Sequence, residues 1–273
     1  MAIITISREL AALGEETAEA LAKLLNYRLV DKHIIEERIK SYGVSYQKFQ
    51  KYDEKKPSFW ASLSRDREDY FHFIKSAILA EASQGNAVFL GRGAGAILRS
   101  VPGVFSVFLV APFETRLERV KAHFNCDEKR ARNIIEQSDH DREGFHGFFF
   151  ETKWADSGNY HLTLNTGHLH PDLCAEVIKF MRDRVLTTET EAESSRRIQE
   201  LILGHEIKHR ILHEKKILIH FFEASVSGKQ IILFGVANSP SLIEMAINLA
   251  AELAPESEIQ SEIQIVQEYA VMP

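Results

Sequence analysis

Short apolar runs alternate with segments of helical periodicity over the first two thirds of the chain. The runs are rich in β-branched and aromatic residues, which is typical of strands buried on both faces of a sheet. They predict strands at 2–6, 27–30, 87–90, 104–110 and 160–164, and helices at 15–25, 34–39, 70–82 and 113–120. This alternation predicts an α/β fold with a parallel sheet, in which ligands bind beyond the carboxyl ends of the strands. Asp31, Gly91, Arg92, Asn165 and Thr166 follow such ends.

A polar stretch separates this region from the C-terminal part of the chain. Residues 187–195 contain no large apolar side chain and predict a linker or a solvated helix extension. The pattern beyond it predicts a helix at 197–213, strands at 217–224, 230–236 and 259–265, a hairpin turn at 227–229, and a helix capped by Ser239 with Pro240 in its first turn. We therefore predict a domain at 1–184, a polar linker at 185–198, and a small α+β domain of order α-β-β-α-β at 199–273.

The segment between the first strand and the first helix, Ser7 to Gly14, is placed like a phosphate-binding loop. Such a loop presents backbone N–H groups and the positive end of a helix dipole to phosphate, and it normally ends in Gly-Lys-Ser/Thr. Here Glu15 follows Gly14, and its carboxylate would repel the ligand. Ala11 and Leu13 do not readily adopt the positive φ angles that let successive N–H groups converge. We therefore expect donor binding to be weakened or lost.

The composition excludes several classes of function. A net charge of −6, with no long run of Lys or Arg, argues against a nucleic-acid-binding protein. Cys126 and Cys174 are too few for a disulfide framework, and no apolar stretch is long enough to span a bilayer. The first residues lack the basic and apolar regions of a signal peptide, so we predict a cytoplasmic protein.

A series of short motifs resembles a known family. In chain order they are Ile4-Thr5-Ile6-Ser7-Arg8-Glu9, Tyr27-Arg28-Leu29-Val30-Asp31-Lys32, Val88-Phe89-Leu90-Gly91-Arg92-Gly93-Ala94, Leu109-Val110-Ala111-Pro112-Phe113-Glu114-Thr115-Arg116, Ser138-Asp139-His140-Asp141-Arg142 and Tyr160-His161-Leu162-Thr163-Leu164-Asn165-Thr166. Over residues 3–182 their order and spacing resemble the cytidylate kinase-like family of P-loop nucleoside monophosphate kinases. The resemblance implies a kinase-like parallel sheet flanked by helices.

The same resemblance implies phosphoryl transfer from a nucleoside triphosphate to a nucleoside monophosphate or a similar small acceptor, with ATP and Mg²⁺ as cofactors. The donor phosphates would be bound by Ser7, Arg8 and Gly14. Thr17 matches the hydroxyl residue near the metal, although Glu15 at the expected basic position puts ATP and Mg²⁺ in doubt.

The resemblance also implies an acceptor site and a set of arginines around the transferring group. Asp31 and Arg92 would face the acceptor, and an arginine at a strand end can bind phosphate oxygens with paired hydrogen bonds. The catalytic candidates are Arg92, Arg116 and Arg142. Arg119 shares a helix face with Arg116, and Arg130, Arg132 and Arg142 fall in a charged helix that would be the closing lid.

Two departures from the family pattern leave alternatives open. The family has Gly-Ser-Gly-Gly where this chain has Ala11-Ala12-Leu13-Gly14. Gly93 replaces the aspartate that follows the arginine in true cytidylate kinases, which puts cytosine specificity in doubt. The domain is therefore either an active kinase or a catalytically inactive protein that senses nucleotides. Simpler roles are also open. Arg116, Arg119 and Arg130 are alternatively solvated helix charges paired with Glu114, Glu118 or Asp127, and Asp31 is alternatively a turn residue.

The sequence His205-Glu206-Ile207-Lys208-His209 matches the His-Glu-x-x-His pattern of zinc peptidases, and His213 continues it on the same helical face. Two histidines four residues apart can share a metal, with the glutamate activating water. The surrounding sequence is a charged helix after a polar linker and offers no third-ligand domain. A zinc hydrolase is therefore the remote alternative.

The C-terminal segment, about residues 200–269, resembles the BON domain. The matching run is Lys229 to Ser239, followed by Ala246, Ala250 and the closing strand, although Ala254-Pro255-Glu256 replaces the usual glycine turn. The resemblance implies a module that binds a lipid, a small ligand or a protein partner. A small domain that packs on the kinase-like body or forms a homodimer is the alternative.

Overall fold

A computed structural model describes residues 2–42 and 65–266, which form two compact units divided between Ser195 and Arg196. The division falls inside the predicted linker 185–198, and most of that segment is helical. The elements of the first unit are β1 (Ile3–Arg8), α1 (Gly14–Leu25), β2 (Arg28–Val30), α2 (Lys32–Ser41), α3 (Arg65–Ala82), β3 (Ala87–Leu90), α4 (Ala94–Ile97), β4 (Val104–Val110), α5 (Phe113–Phe124), α6 (Glu128–Phe150), β5 (Leu162–Asn165) and α7 (Pro171–Val185).

The five strands of the first unit form a parallel sheet in the order β2-β3-β1-β4-β5. The predicted α/β fold is therefore confirmed, and β3 and β4 have the predicted bounds. The central strand β1 is buried because Ile3, Ile4 and Ile6 fill the layers between sheet and helices. On one side α1 packs against α7. Since all the strands run the same way, their carboxyl ends meet at one edge of the sheet.

The second unit has a small mixed sheet, which confirms the predicted α-β-β-α-β order. Its elements are α8 (Thr188–His209, which begins in the first unit), a π-helical turn (Arg210–Glu214), β6 (His220–Ser227), β7 (Gln230–Ala237), α9 (Pro240–Leu253) and β8 (Glu258–Ile265). Strands β6 and β7 pair antiparallel through a tight turn in which Gly228 has a φ of 57°, and β8 pairs parallel to β7. The core contains Phe222, Ile231 and Leu233.

Three details of the second unit correct the sequence predictions. Strand β6 begins at His220, since Ile217 and Ile219 pack into the core from irregular chain before it. The Ser239 hydroxyl does not cap α9 and lies 2.9 Å from the hydroxyl of Ser241. The predicted helix at 197–213 is the end of the longer α8 and the π-helical turn. The last residues of the predicted domain, 267–273, lie outside the described residues.

Within the described part of the chain, no helix has the length and apolar character needed to cross a membrane.

Candidate functional site

The carboxyl ends of β1, β2 and β3 open into a cleft of about 820 Å³, and α6 forms its opposite wall. Among the described lining residues, five are basic and three are acidic. The cleft is therefore locally positive in a chain whose net charge is −6, which favours an anionic ligand. These charged lining residues are Arg8, Lys32, Arg92, Arg130 and Arg142, with Glu15, Asp31 and Asp141.

The loop between β1 and α1 has a sharply curled backbone. Ala11 and Leu13 have φ angles of 60° and 54°, and they alternate with residues outside the left-handed region. The prediction that these side chains would resist positive φ is therefore wrong. Alternating right- and left-handed residues form an anion-binding concavity of backbone N–H groups. Among the described residues, the N–H groups of Ala11 and Leu13 have no backbone carbonyl as hydrogen-bond acceptor.

Side chains distant in sequence hold the carbonyl groups of this loop. The Arg116 Nε donates to the Leu10 carbonyl at 2.9 Å, and the Arg119 Nη1 donates to the Ala11 carbonyl at 2.9 Å. A left-handed conformation costs a residue with a Cβ roughly 1–2 kcal/mol, so it persists where the surroundings fix it. The interpretation of these two arginines as solvated helix charges is wrong, because both contact the loop.

Arg116 is the centre of a buried ion cluster. Its side chain is 4% exposed, lies 3.2 Å from the Glu9 carboxylate, and donates from Nη2 to both carboxylate oxygens of Asp139 at 2.7 and 2.8 Å. The Glu9 Oε2 also accepts from the Ala111 amide at 2.9 Å. Burial raises the pKa of Glu9, although the Ala111 amide and Arg116 act in the opposite direction. Arg116 is not among the described residues that line the cleft.

Arg8 and Glu15 face each other where the loop ends. The Arg8 Nη2 lies 3.4 Å from the Glu15 Oε1, and the two side chains are 15% and 64% exposed. Gly14 lies beneath Arg8, since a Cβ at Gly14 would be 2.5 Å from the Arg8 Cγ. Glycine is therefore required here for the close approach of Arg8 to the start of α1. Arg8 therefore places a positive charge beside the end of the loop.

Two of the residues predicted to bind the donor lie away from the cleft. Thr17 is fully buried, and its hydroxyl donates to the Leu13 carbonyl at 2.7 Å. Contact between this hydroxyl and a metal would require the side chain to leave Leu13. Ser7 is not among the described cleft residues and lines a separate pocket of about 30 Å³ with Trp154 and Tyr160.

Arg92 lies at the end of β3 in an unusual backbone segment. Gly91, Arg92 and Gly93 all have positive φ, of 73°, 58° and 72°. The Arg92 Nη2 donates to the Glu36 Oε1 at 2.8 Å, and both side chains are nearly buried. Sequence reasoning missed Glu36, although its spacing of four residues from Lys32 on α2 placed it on the same helical face. The ring of Phe150 occupies the space that a Cβ at Gly93 would need.

Asp31 lines the cleft and also caps a helix. Its carboxylate accepts from the Ile34 amide at 3.1 Å at the start of α2. The structural and the acceptor-facing interpretations of Asp31 are therefore compatible, because the second carboxylate oxygen is not used by this cap.

The predicted lid is the single helix α6. Arg130 and Arg142 of α6 line the cleft, and Arg142 donates to the Ser138 hydroxyl one turn before it. Arg132 is not among the described lining residues; it donates to Glu128 at 3.3 Å and lies over the Phe113 ring. The structure therefore brings Arg8, Asp31, Arg92, Arg130 and Arg142 to one cleft.

The His-Glu-x-x-His sequence lies at the end of α8, and His213 follows in the π-helical turn. The rings of His209 and His213 stack with centroids 5.5 Å apart. Among the described residues, no group of three or more His, Cys, Asp or Glu side chains is arranged to hold a metal. The geometry therefore gives no support to a zinc hydrolase.

Comparison with known proteins identifies a family for the first unit. A protein-family model described as the cytidylate kinase-like family matches residues 3–168. An uncharacterized protein of Eubacterium ventriosum ATCC 27560 has a crystal structure that is 25% identical, with a TM-score of 0.54, and covers 67% of this chain and 99% of that one. The shikimate kinase of Aquifex aeolicus is 19% identical, with a TM-score of 0.41 and coverages of 67% and 98%. No curated protein matches the chain significantly.

Proposed function

The chain belongs to the cytidylate kinase-like family, and on that basis we propose that its first unit transfers a phosphoryl group from a nucleoside triphosphate to a nucleoside monophosphate or a similar small acceptor. An acceptor oxygen forms a bond to the γ-phosphorus while the bond from that phosphorus to its bridging oxygen breaks, leaving a nucleoside diphosphate. Such transfer needs little covalent chemistry from the protein. It needs positioned phosphates and cations around them.

One observation carries the proposal: a loop of alternating left-handed residues lies beside a cleft lined by arginines. The curl at Ala11 and Leu13 is the backbone arrangement that binds phosphate, even though the usual glycines are absent. Arg8 lies at the end of this loop, and Arg130 and Arg142 lie opposite on α6. Together they supply a donor-phosphate site without a lysine.

In this proposal the remaining residues divide between acceptor binding and loop support. Arg92 and Asp31 bind the acceptor, with Glu36 fixing the Arg92 guanidinium. Arg116 acts as a positioning residue, since its contacts are to the loop, Glu9 and Asp139. Thr17 supports the loop from a buried position, and Ser7 supports its surroundings from a half-buried one.

The carboxylates of the cleft are suitable ligands for magnesium, but the Thr17 hydroxyl is not. The ion is usually held by one or two carboxylates together with substrate phosphates, and Glu15, Asp31 and Asp141 are the described carboxylates of the lining. Any of these would hold an ion that arrives with the nucleotide, and the ion would screen the phosphate charge when bound. The Thr17 hydroxyl is a poor ligand, because it is buried and already donates to Leu13.

A catalytically inactive nucleotide sensor is the second candidate, and Glu15 favours it. Its carboxylate stands in the first turn of α1, where a bound phosphate would sit, and it pairs with Arg8. A ligand phosphate must therefore compete with Glu15 for the Arg8 guanidinium. A protein that binds a nucleotide without transferring phosphate would fit this arrangement.

Calorimetric titration of the full chain with Mg-ATP, alone and with each nucleoside monophosphate, tests the binding site. We expect saturable binding that Arg142→Met weakens about tenfold, a loss typical of one charge-assisted contact to phosphate. Arg184→Met is the matched control, because Arg184 lies over the Phe180 ring on the surface of α7. Failure of the wild type to bind any nucleotide, or equal weakening by both substitutions, would contradict the proposed site.

We also propose that the second unit is a BON-like binding module. The order helix, two antiparallel strands, helix and parallel strand supports this assignment. Amide chemical shifts of residues 196–266 in the full chain, followed during titration with small ligands and lipid vesicles, test it. Shifts that never move with any ligand or vesicle would contradict a role in binding them.

A further inference from the structure

The loop between β1 and α1 adopts its curled shape without the residue that normally permits it. Ala11 and Leu13 both have a Cβ, which disfavours the left-handed region through contact with the following carbonyl oxygen. Such residues persist only where surrounding contacts over-determine the backbone. The contacts that fix Ala11 and Leu13 are therefore part of the phosphate-binding geometry.

Each left-handed residue has a side chain holding its carbonyl group. The Ala11 carbonyl accepts from the Arg119 Nη1 at 2.9 Å, and the Leu13 carbonyl accepts from the Thr17 hydroxyl at 2.7 Å. A hydrogen bond to a carbonyl fixes the orientation of the following peptide plane. Fixing that plane restricts ψ of the residue and so selects among its backbone conformations.

Arg119 is itself fixed to the sheet. Its Nη2 donates to the Thr166 carbonyl at 2.8 Å, and its Nη1 lies 3.3 Å from the Thr166 hydroxyl. Thr166 is buried at the end of β5, and its amide donates to the Val110 carbonyl at 2.8 Å. The guanidinium therefore joins the loop to the rigid edge of the parallel sheet.

We infer that Arg119 is a positioning residue that substitutes for a loop glycine: it holds Ala11 in the left-handed conformation on which anion binding by the loop depends. A glycine at position 11 would adopt this φ without help, because it lacks a Cβ. The requirement for Arg119 is therefore conditional on the residue at position 11. The expected change in ATP affinity rests on the proposed function, whereas the expected change in φ at Ala11 does not.

A double substitution tests this conditional requirement. In Arg119→Met the crystal structure of the ligand-free chain is expected to show Ala11 leaving positive φ. The Kd for Mg-ATP is expected to rise about tenfold, because binding must then supply the roughly 1–2 kcal/mol that returns Ala11 to the left-handed conformation. In Arg119→Met combined with Ala11→Gly, residue 11 returns to positive φ and the Kd returns to within about twofold of wild type.

The control and the contrary results separate this role from general support of the fold. Lys121→Met removes a cation from the same helix that pairs with Glu118 at 2.8 Å, away from the loop, and it should leave both the φ and the Kd unchanged. Arg119→Lys serves if Arg119→Met folds poorly, since lysine keeps the charge but cannot hold Ala11 and Thr166 together. Positive φ at Ala11 in the absence of Arg119, or a weakened Kd that Ala11→Gly does not restore, would overturn the inference. If the wild type binds no ATP, the proposed function fails, while the φ of residue 11 still decides this inference.

Discussion

The carboxylate of Glu15 is the strongest obstacle to phosphate binding, and replacing it by lysine has a calculable effect. Glu15 is 64% exposed, so its interaction with a bound phosphate is screened nearly as in water. At about 4 Å in water two unit charges interact by about 1 kcal/mol. Glu15→Lys changes the charge by two units and also ends the competition for Arg8. We expect about 2 kcal/mol, or about thirtyfold, tighter binding of metal-free ATP.

The same substitution lowers stability. It removes an exposed ion pair with Arg8, worth roughly 0.2–1 kcal/mol, and a favourable acidic residue at a helix N-terminus, worth roughly 0.3–1 kcal/mol. For a unit of this size each 1 kcal/mol lowers the Tm by about 2–4 °C. Tighter binding together with a lower Tm is therefore the expected pair of effects.

Calorimetric titration with ATP in EDTA measures the affinity, and Glu16→Lys is the matched control. Glu16 is exposed in the same helical turn but is not among the described residues that line the cleft. It should show a smaller loss of Tm, because it gives up the acidic residue at the helix N-terminus but no ion pair with Arg8, and little gain in affinity. In 1 M salt, where the Debye length is about 3 Å, the gain from Glu15→Lys should largely disappear. If Glu15→Lys binds ATP no more tightly than Glu16→Lys, the assignment of the loop as a phosphate site is refuted.

Three further predictions concern Thr17, Gly93 and His161 of the first unit. Thr17→Val should weaken Mg-ATP binding about fivefold in calorimetry, because the Leu13 carbonyl keeps its hydrogen bond from the Thr17 amide but loses the one from the hydroxyl, whereas Thr17→Ser should not; equal effects would contradict the hydroxyl's role. Gly93→Ala should lower the Tm in a thermal scan, and adding Phe150→Ala should recover part of the loss, because the new Cβ meets that ring at positive φ. Partial burial lowers the pKa of His161, so its stabilising contribution is present above the unfolded-state pKa of about 6.5 and is lost as the pH falls below that value and through the lower folded-state pKa. The Tm of His161→Gln should therefore fall less between pH 7 and pH 5 than that of wild type, and equal slopes would contradict this.

The parallel sheet could be predicted because its strands are short apolar runs bounded by polar turns. Strands 87–90 and 104–110 are buried on both faces, so the sequence pattern coincides with the structural one. The position of the cleft could also be predicted, because residues that follow β2 and β3 lie at the same edge of a parallel sheet. Asp31 and Arg92 are located there for that reason.

The conformation of the loop could not be predicted from local sequence. Local preference argues against positive φ at Ala11, and the contact that overrides it comes from Arg119, 108 residues later in the chain. The hydrogen bond between Arg92 and Glu36 could not be predicted for the same reason, because 56 residues separate the two in the chain. Hydrophobic periodicity does not predict such contacts, because a polar side chain that reaches a distant loop does not change the pattern of its own helix.

³¹P NMR of the full chain with Mg-ATP and a nucleoside monophosphate tests whether the cleft transfers a phosphoryl group. We expect loss of the γ-phosphate resonance of ATP and growth of the resonances of two nucleoside diphosphates. The reaction should persist in Arg184→Met and fall sharply in Arg142→Met. Saturating binding of ATP with no new diphosphate, for any of the nucleoside monophosphates, would contradict catalysis and leave the nucleotide sensor as the function.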